Sequence, residues 1–287
     1  MMDYFAPRSM DELAEVLRNA PESMRIIAGG TDYVIASRRS GEEPGALVYL
    51  GQLPEAQRIT LTDAELRVGA MVTMARLARE LPGEHWLRAI VDAVSDVGSP
   101  QIREKATWIG NLCNASPAGD MMPVSLLYDA ELETLDGEGT VTRIPVRDFV
   151  LAPKKTVLQP KQAVTAVVID AARYRGCVSA FHKIGSRERV SISRIGLAAL
   201  VRLDGDRTIA EARMTLGAVA NTPIRVPEAE ERMLHRRLDE DTLLTEVTAI
   251  VSKTVHDNCR PTNRLYKTEA SRGLTADLFS LLLSRED

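Results

Sequence analysis

Met10, Leu13, Val16, Leu17 and Ala20 recur at three- and four-residue intervals, which predicts an amphipathic helix over residues 9–20. Ser9 followed by Glu12 is a capping-box pattern, and Pro21 marks the stop. The β-branched pair Ile26 and Ile27 predicts a strand over 25–27, followed by a Gly29-Gly30 turn, a short helix around 32–40 and a second strand over 46–50. Together these make a small β-α-β unit. Residues 59–61 and 66–70, on either side of Thr62-Asp63-Ala64-Glu65, predict a hairpin. Thr73 caps a helix over 74–80, and Leu87, Ile90, Val91 and Val94 supply the buried stripe of the next.

From 98 to 120 the periodicity stops, which in a compact domain marks a functional loop rather than a linker. Regular structure resumes with LLYDAELETL, an Asp136-Gly137 turn and VTRIPV. Beyond residue 170, residues 195–203, the Asp204-Gly205 turn and residues 209–219 predict a long antiparallel hairpin, followed by three helices. A domain boundary is placed near residue 172.

Composition narrows the class. The 287 residues are 45% hydrophobic and 26% charged, with a formal net charge of −4, which suits a globular chain and gives no basic field for nucleic acid or anionic membrane. Cys113, Cys177 and Cys259 form no CxxC pair for a metal, so a reduced, cytoplasmic chain is expected. The N-terminus MMDYFAPRSMDE lacks a signal pattern, and no run is apolar enough to span a membrane.

Two stretches carry the candidate chemistry. In RIIAGGTDYV, adjacent glycines follow a strand and precede a helix. One reading is a structural turn. The other is a phosphate cradle, in which backbone N–H groups at a helix start converge on an anion. In VGSPQIREKATWIGNLCNASPAGD, residues 97–120, glycines alternate with short polar side chains that can wrap a polar ligand.

AGGTD near residue 30, PQIR…T-x-x-GN…ASPAGD between 100 and 120, AFHKIGSRERVSIS, LGAVANTPIRV and RPTNRLYKTEASRGL together resemble the FAD-binding subunits of molybdenum hydroxylases, of the xanthine, carbon monoxide and nicotinate dehydrogenase type. The resemblance implies an α+β fold with a two-lobed FAD-binding domain of the vanillyl-alcohol-oxidase (PCMH) type over 1–172, with lobes of about 1–55 and 56–172. A smaller C-terminal domain of antiparallel sheet and helices would fill 173–287. It implies non-covalent FAD, with Arg25, Ile26, Ile27, Ala28, Gly29, Gly30, Thr31, Asp32 and Tyr33 around the pyrophosphate. Thr107, Trp108, Ile109, Gly110 and Asn111 would form a second phosphate loop beside the flavin, with Asn114 and Ser116 in the same stretch.

By the same resemblance Asp120 accepts from a ribose or ribityl hydroxyl, Val97 packs on the cofactor and Lys183 supplies positive charge near it. The implied activity is oxidoreductase electron transfer, from a [2Fe–2S] subunit to NAD or another soluble acceptor. Molybdopterin and the iron–sulfur clusters would be carried by partner subunits, for hydroxylation of xanthine, a purine or a related N-heterocycle.

One position departs from the pattern. The family usually reads T-I-G-G-N where this chain has Thr107-Trp108-Ile109-Gly110-Asn111, so strain is expected at Ile109 if a positive φ is needed there. His85, His182, His235 and His256 lack metal-ligand spacing, Trp86 reads as helix packing, and Arg187, Glu188 and Arg189 read as a solvated turn. Two rival classes are a free-standing flavin oxidase of related fold and a non-catalytic assembly subunit that has lost FAD.

Overall fold

The computed structural model describes residues 2–41, 43–186 and 192–285. The turn expected at Arg187, Glu188 and Arg189 lies outside them. The chain forms two compact units, each built from several chain segments. Unit 1 holds Met1–Leu77, Pro100–Ala115 and Asp129–Arg173, and unit 2 holds Ala78–Ser99, Ser116–Tyr128 and Tyr174–Asp287.

Unit 1 carries ten strands: β1 (Asp3–Phe5), β2 (Arg25–Ile27), β3 (Ala46–Tyr49), β4 (Ile59–Leu61), β5 (Glu65–Gly69), β6 (Glu131–Asp136), β7 (Val141–Pro145), β8 (Val150–Ala152), β9 (Lys155–Thr156) and β10 (Gln162–Asp170). The predicted β-α-β unit is present: β2 and β3 pair in parallel, Ile26 opposite Val48, with the helix Tyr33–Ser40 between them. β1 adds a third parallel strand on the far edge of β3.

The remaining main sheet has the order β4-β5-β10-β6-β7, antiparallel throughout. Its centre is β10, whose residues 163–169 are all buried. The predicted hairpin is there, Ile59 opposite Val68, and the segments on either side of the Asp136-Gly137 turn form a second, Leu132 opposite Ile144, joined to the first through β10.

The helix Met10–Asn19 buries Leu13, Ala14 and Leu17, as its periodicity demands. Ser9 caps it by accepting from the Glu12 N–H at 3.1 Å. The return bond of the capping box is displaced by one residue: the Glu12 carboxylate accepts from the Arg8 N–H at 2.7 Å, not from Ser9. The far end of the helix rests on the Asp136-Gly137 turn, where a Cβ on Gly137 would stand 2.9 Å from the Arg18 backbone. Residues 98–120 are not irregular throughout. They contain the helices Pro100–Arg103 and Trp108–Cys113, too short at four and six residues to show a 3.6-residue period.

Unit 2 is a four-stranded antiparallel sheet, β11 (Cys177–Gly185), β12 (Ser193–Leu203), β13 (Ile209–Gly217) and β14 (Ile224–Arg225), in sequential order. The predicted hairpin is β12–β13, with Ala199 opposite Met214. Ile195, Leu197, Ala199 and Val201 join a core with Val247, Val251, Leu274 and Leu278 of the helices Asp241–Asn258 and Pro261–Leu283. The helix Met121–Leu127 lies on β13, where Thr215 Oγ1 donates to the Pro123 carbonyl at 2.8 Å. A Cβ on Gly217 would meet the Pro123 ring at 2.7 Å. Among the described residues no helix is long and apolar enough to cross a membrane.

Candidate functional site

The turn after β2 places its two glycines under opposite constraints. Gly30 has a φ of 71°, and a Cβ there would stay 3.7 Å from the Ile27 and Val34 side chains, so its need is conformational. A Cβ on Gly29 would stand 1.7 Å from the Lys105 carbonyl oxygen, so its need is spatial. The turn therefore lies directly on the residues that lead into 107–111, and within unit 1 the fold brings the two candidate stretches together.

Ile26, Ile27 and Ala28 are half-buried along the approach, as are Thr31 and Tyr33 beyond it. Arg25 is exposed, its guanidinium donating to the Met24 carbonyl at 3.1 Å. Asp32 stands at the N-cap of Tyr33–Ser40 with a helical backbone and makes no capping side-chain bond, and that helix buries none of its residues. Its first N–H groups have no acceptor within the helix.

Thr107 caps the helix Trp108–Cys113. Its Oγ1 accepts from the Gly110 N–H at 3.0 Å, and its carbonyl accepts from the Asn111 N–H at 3.0 Å. Trp108 is 1% exposed and Ile109 4%. The strain expected at Ile109 is absent: it is the second residue of a right-handed helix and is not among the positive-φ positions. The Thr107 cap starts a helical turn at this point, which a β-branched residue adopts without penalty to its φ.

The polar residues of this stretch divide by partner. Asn114 Oδ1 accepts from Lys154 Nζ at 2.5 Å, and Ser116 Oγ accepts from the Ala118 N–H at 3.4 Å. Asn111 differs, because its Oδ1 is buried and has no hydrogen-bond partner among the described residues. A buried acceptor without a donor is costly, which sets Asn111 apart from Asn114 and Ser116.

Within unit 2, Asp120 is 7% exposed. One of its oxygens accepts from Lys183 Nζ at 2.6 Å, and the other accepts from the Ser193 hydroxyl. Lys183 Nζ also donates to the Asp96 carbonyl at 2.8 Å. Burial pushes the Asp120 carboxyl above its ordinary range, while the Lys183 charge and the bonds from Lys183 and Ser193 pull it back. The Lys183 charge is thus met by Asp120. Val97 is half-buried at the C-cap of Arg88–Asp96, ahead of Gly98 with a φ of 53°. Ser193 escaped the sequence reading; its only signal was a serine at the start of the apolar run 195–201.

A glycine turn laid on a capped helix start, in a chain with a second, antiparallel unit, defines a two-unit protein of mixed helix and sheet. Comparison with known proteins makes the class particular. Residues 1–171 match the family described as the FAD binding domain in molybdopterin dehydrogenase, and residues 180–280 match the CO dehydrogenase flavoprotein C-terminal domain. The chain is 32% identical over 241 residues to the xanthine dehydrogenase FAD-binding subunit of Escherichia coli O157:H7, covering 84% of this chain and 82% of that one.

It is 30% identical over 289 residues to the nicotinate dehydrogenase FAD-subunit of Eubacterium barkeri, covering 99% and 96%. The crystal structure of quinoline 2-oxidoreductase from Pseudomonas putida 86 contains the same fold, at a TM-score of 0.88 and 20% identity over 100% of this chain and 98% of that one. The chain belongs to the FAD-binding subunits of the molybdenum hydroxylase family, and it is an oxidoreductase subunit with an FAD-binding domain.

The residues present fit that cofactor. A pyrophosphate needs backbone donors approached without side chains, which the Gly29-Gly30 turn at a helix start presents. Hydroxyl-bearing parts of a dinucleotide need a buried acceptor, which Asn111 Oδ1 offers.

Proposed function

We propose that this chain holds FAD non-covalently and conducts electrons from a [2Fe–2S] partner subunit to a soluble acceptor such as NAD. The complex would include a molybdopterin subunit that hydroxylates xanthine, a purine or a related N-heterocycle. The observation that carries the FAD part is the contact of the Gly29-Gly30 turn with residues 105–106, which lead into the helix that holds Asn111. FAD supplies the redox chemistry when bound, and the chain binds and orients it.

In this reading residues 25–33 line the pyrophosphate and residues 107–111 close over it. The carboxylate of Asp120, by the family resemblance an acceptor for a sugar hydroxyl, is held in its own unit by Lys183 and Ser193. The FAD-binding domain ends near residue 172, which the extents of the two family matches support. The relatives named as xanthine and nicotinate dehydrogenase subunits favour an N-heterocycle as the substrate of the complex. Three free cysteines suit a cytoplasmic protein.

Non-covalent attachment is supported by the cofactor stretches themselves, in which Cys113 is the one cysteine or histidine. Burial pushes Cys113 up to about 12, so no thiolate is available there at neutral pH. Acid or heat denaturation of the purified yellow protein is expected to release all flavin into the supernatant. Colour that stays on the precipitated chain contradicts this reading. Purification without a molybdopterin subunit, combined with direct oxidation of a small substrate, would favour the free-standing oxidase instead.

A further inference from the structure

A cavity of about 500 Å³ in unit 2 is lined by Ser193, Asn221, Asn258, Arg260, Asn263 and Lys267 among others, and no carboxylate is among its described lining residues. Among the described residues, two cations and three carboxamides therefore line one space and no carboxylate does. Lys267 is half-buried, and its Nζ donates to the Ala218 carbonyl. No carboxylate pairs with it among the described residues, whereas the acidic groups nearest in sequence are already engaged: Asp257 with Lys253 at 2.7 Å, Glu269 with Arg272 at 3.4 Å.

Arg260 is exposed at the start of Pro261–Leu283, and its guanidinium donates to Asn221 Oδ1 at 3.4 Å. Burial draws Lys267 below its ordinary range; Cys259 opposes this, and the neighbouring Arg194 and Arg260 charges add to it. The wall opposite is also strained. Ala218 has a φ of 58°, left-handed for a residue with a Cβ, and is pinned by its N–H to the Pro117 carbonyl at 3.1 Å and by Lys267 on its own carbonyl.

We propose that this cavity binds the phosphoryl groups of a small anion other than FAD, with Lys267 and Arg260 as the charged contacts and Asn221, Asn258 and Asn263 as neutral donors. Its place gives it a purpose. Ser193, on the cavity wall, is also the hydroxyl bonded to Asp120, so an anion seated here lies beside the carboxylate assigned above to the cofactor. The phosphoryl source is either a dinucleotide electron acceptor or free phosphate. The assignment of purpose rests on the FAD reading, but the binding does not.

The test is calorimetric titration of the FAD-loaded chain with pyrophosphate, then with NAD+ in the presence and absence of pyrophosphate. Pyrophosphate is expected to bind. Lys267→Gln and Arg260→Gln are each expected to weaken it about tenfold or more, the loss of one charge-assisted contact, with FAD content and thermal midpoint near those of the parent chain. Competition by NAD+ identifies a dinucleotide source; pyrophosphate binding without competition identifies free phosphate. A flat pyrophosphate titration, or equal affinity in both variants, overturns the proposal. Loss of FAD from Arg260→Gln, whose exposed side chain is not needed for folding, also overturns it by giving the cations to the flavin. A colourless parent chain is the separate failure, that of the FAD reading.

Discussion

Two polar regions of the molecule solve opposite problems. In unit 1 the stretch 28–33 and 107–111 is built from missing side chains and a helix cap, and it leaves a buried acceptor on Asn111 without a donor. In unit 2 Asp120, Lys183 and Ser193 satisfy one another in a nearly closed cluster. The first has a polar acceptor left over, a feature on which the proposed cofactor site rests. The second is a support whose charges are already spent, so it fixes the position of one carboxylate rather than attracting an anion. A string of polar residues in a sequence looks alike in both cases, and only the partner of each atom tells them apart.

The largest expected effect separates packing from cofactor strain in the first region. If the family's glycine at position 109 were a relief of strain, Ile109→Gly would tighten FAD binding. The structure gives the opposite outcome, because Ile109 is buried under the capped turn. Removing its side chain is expected to destabilise the chain by about 2–5 kcal/mol, and the helical glycine adds about 1 kcal/mol. FAD affinity should fall with it, while Ile109→Val costs only about 0.5–1.5 kcal/mol. Urea unfolding of the apo chain and FAD titration check both. Tighter FAD binding in the glycine variant would restore strain as the explanation.

The second prediction tests whether the Asp120 cluster is closed. Lys183→Met leaves a buried carboxylate without its ion partner and is expected to cost about 3–5 kcal/mol at neutral pH. Asp120→Asn added to it should recover much of that loss. The pH dependence has a definite sign. With Lys183 gone, the Asp120 carboxyl rises further above its unfolded value, so the folded state binds the extra proton. The cost is therefore smallest in acid, below the ordinary carboxylate range, and grows as pH rises through the raised value. A penalty independent of pH would mean that Lys183 contributes packing and not charge.

Much of this was legible because local chemistry and tertiary context agree. Ser9 caps the first helix, Thr73 caps the one at Met74–Glu80, and the parallel β2–β3 pair ends on the glycine turn, all as periodicity and capping rules predict. β10 was not legible, although it is the centre of the unit 1 sheet. A strand buried on both faces shows no alternation, and AVTAVVI reads equally as buried helix. β11 was hidden for the same reason over residues 177–181.

In the site the residue types were visible but their partners were not. Nothing in the sequence places Lys154 on Asn114, Ser193 on Asp120 or the Lys105 carbonyl under Gly29, since each contact spans tens of residues. The helix at Trp108–Cys113 was missed because one and a half turns cannot establish a period, although Thr107 three residues before Gly110 is a cap signal in its own right.

The smallest expected effect falls on Gly30, where conformation and ligand approach can be separated. Gly30→Ala has room for its methyl, 3.7 Å from its neighbours, so its cost is only that of an L-residue at a φ of 71°. That is about 1–2 kcal/mol, of which the stiffer unfolded chain returns about 0.4–1 kcal/mol. The apo chain should therefore lose about 1 kcal/mol or less and keep its far-UV circular dichroism. Gly30→Val adds to that backbone demand, since a β-branched residue fits a φ of 71° less well than alanine, and places two methyls where the turn is to meet a phosphate. If this turn is the cradle, the alanine variant retains most of its FAD and the valine variant loses it, while their apo stabilities differ by much less than their cofactor contents. Flavin absorbance per chain, set against the thermal midpoint of each apo variant, measures both. Full FAD occupancy in the valine variant would reduce the turn to a structural connection.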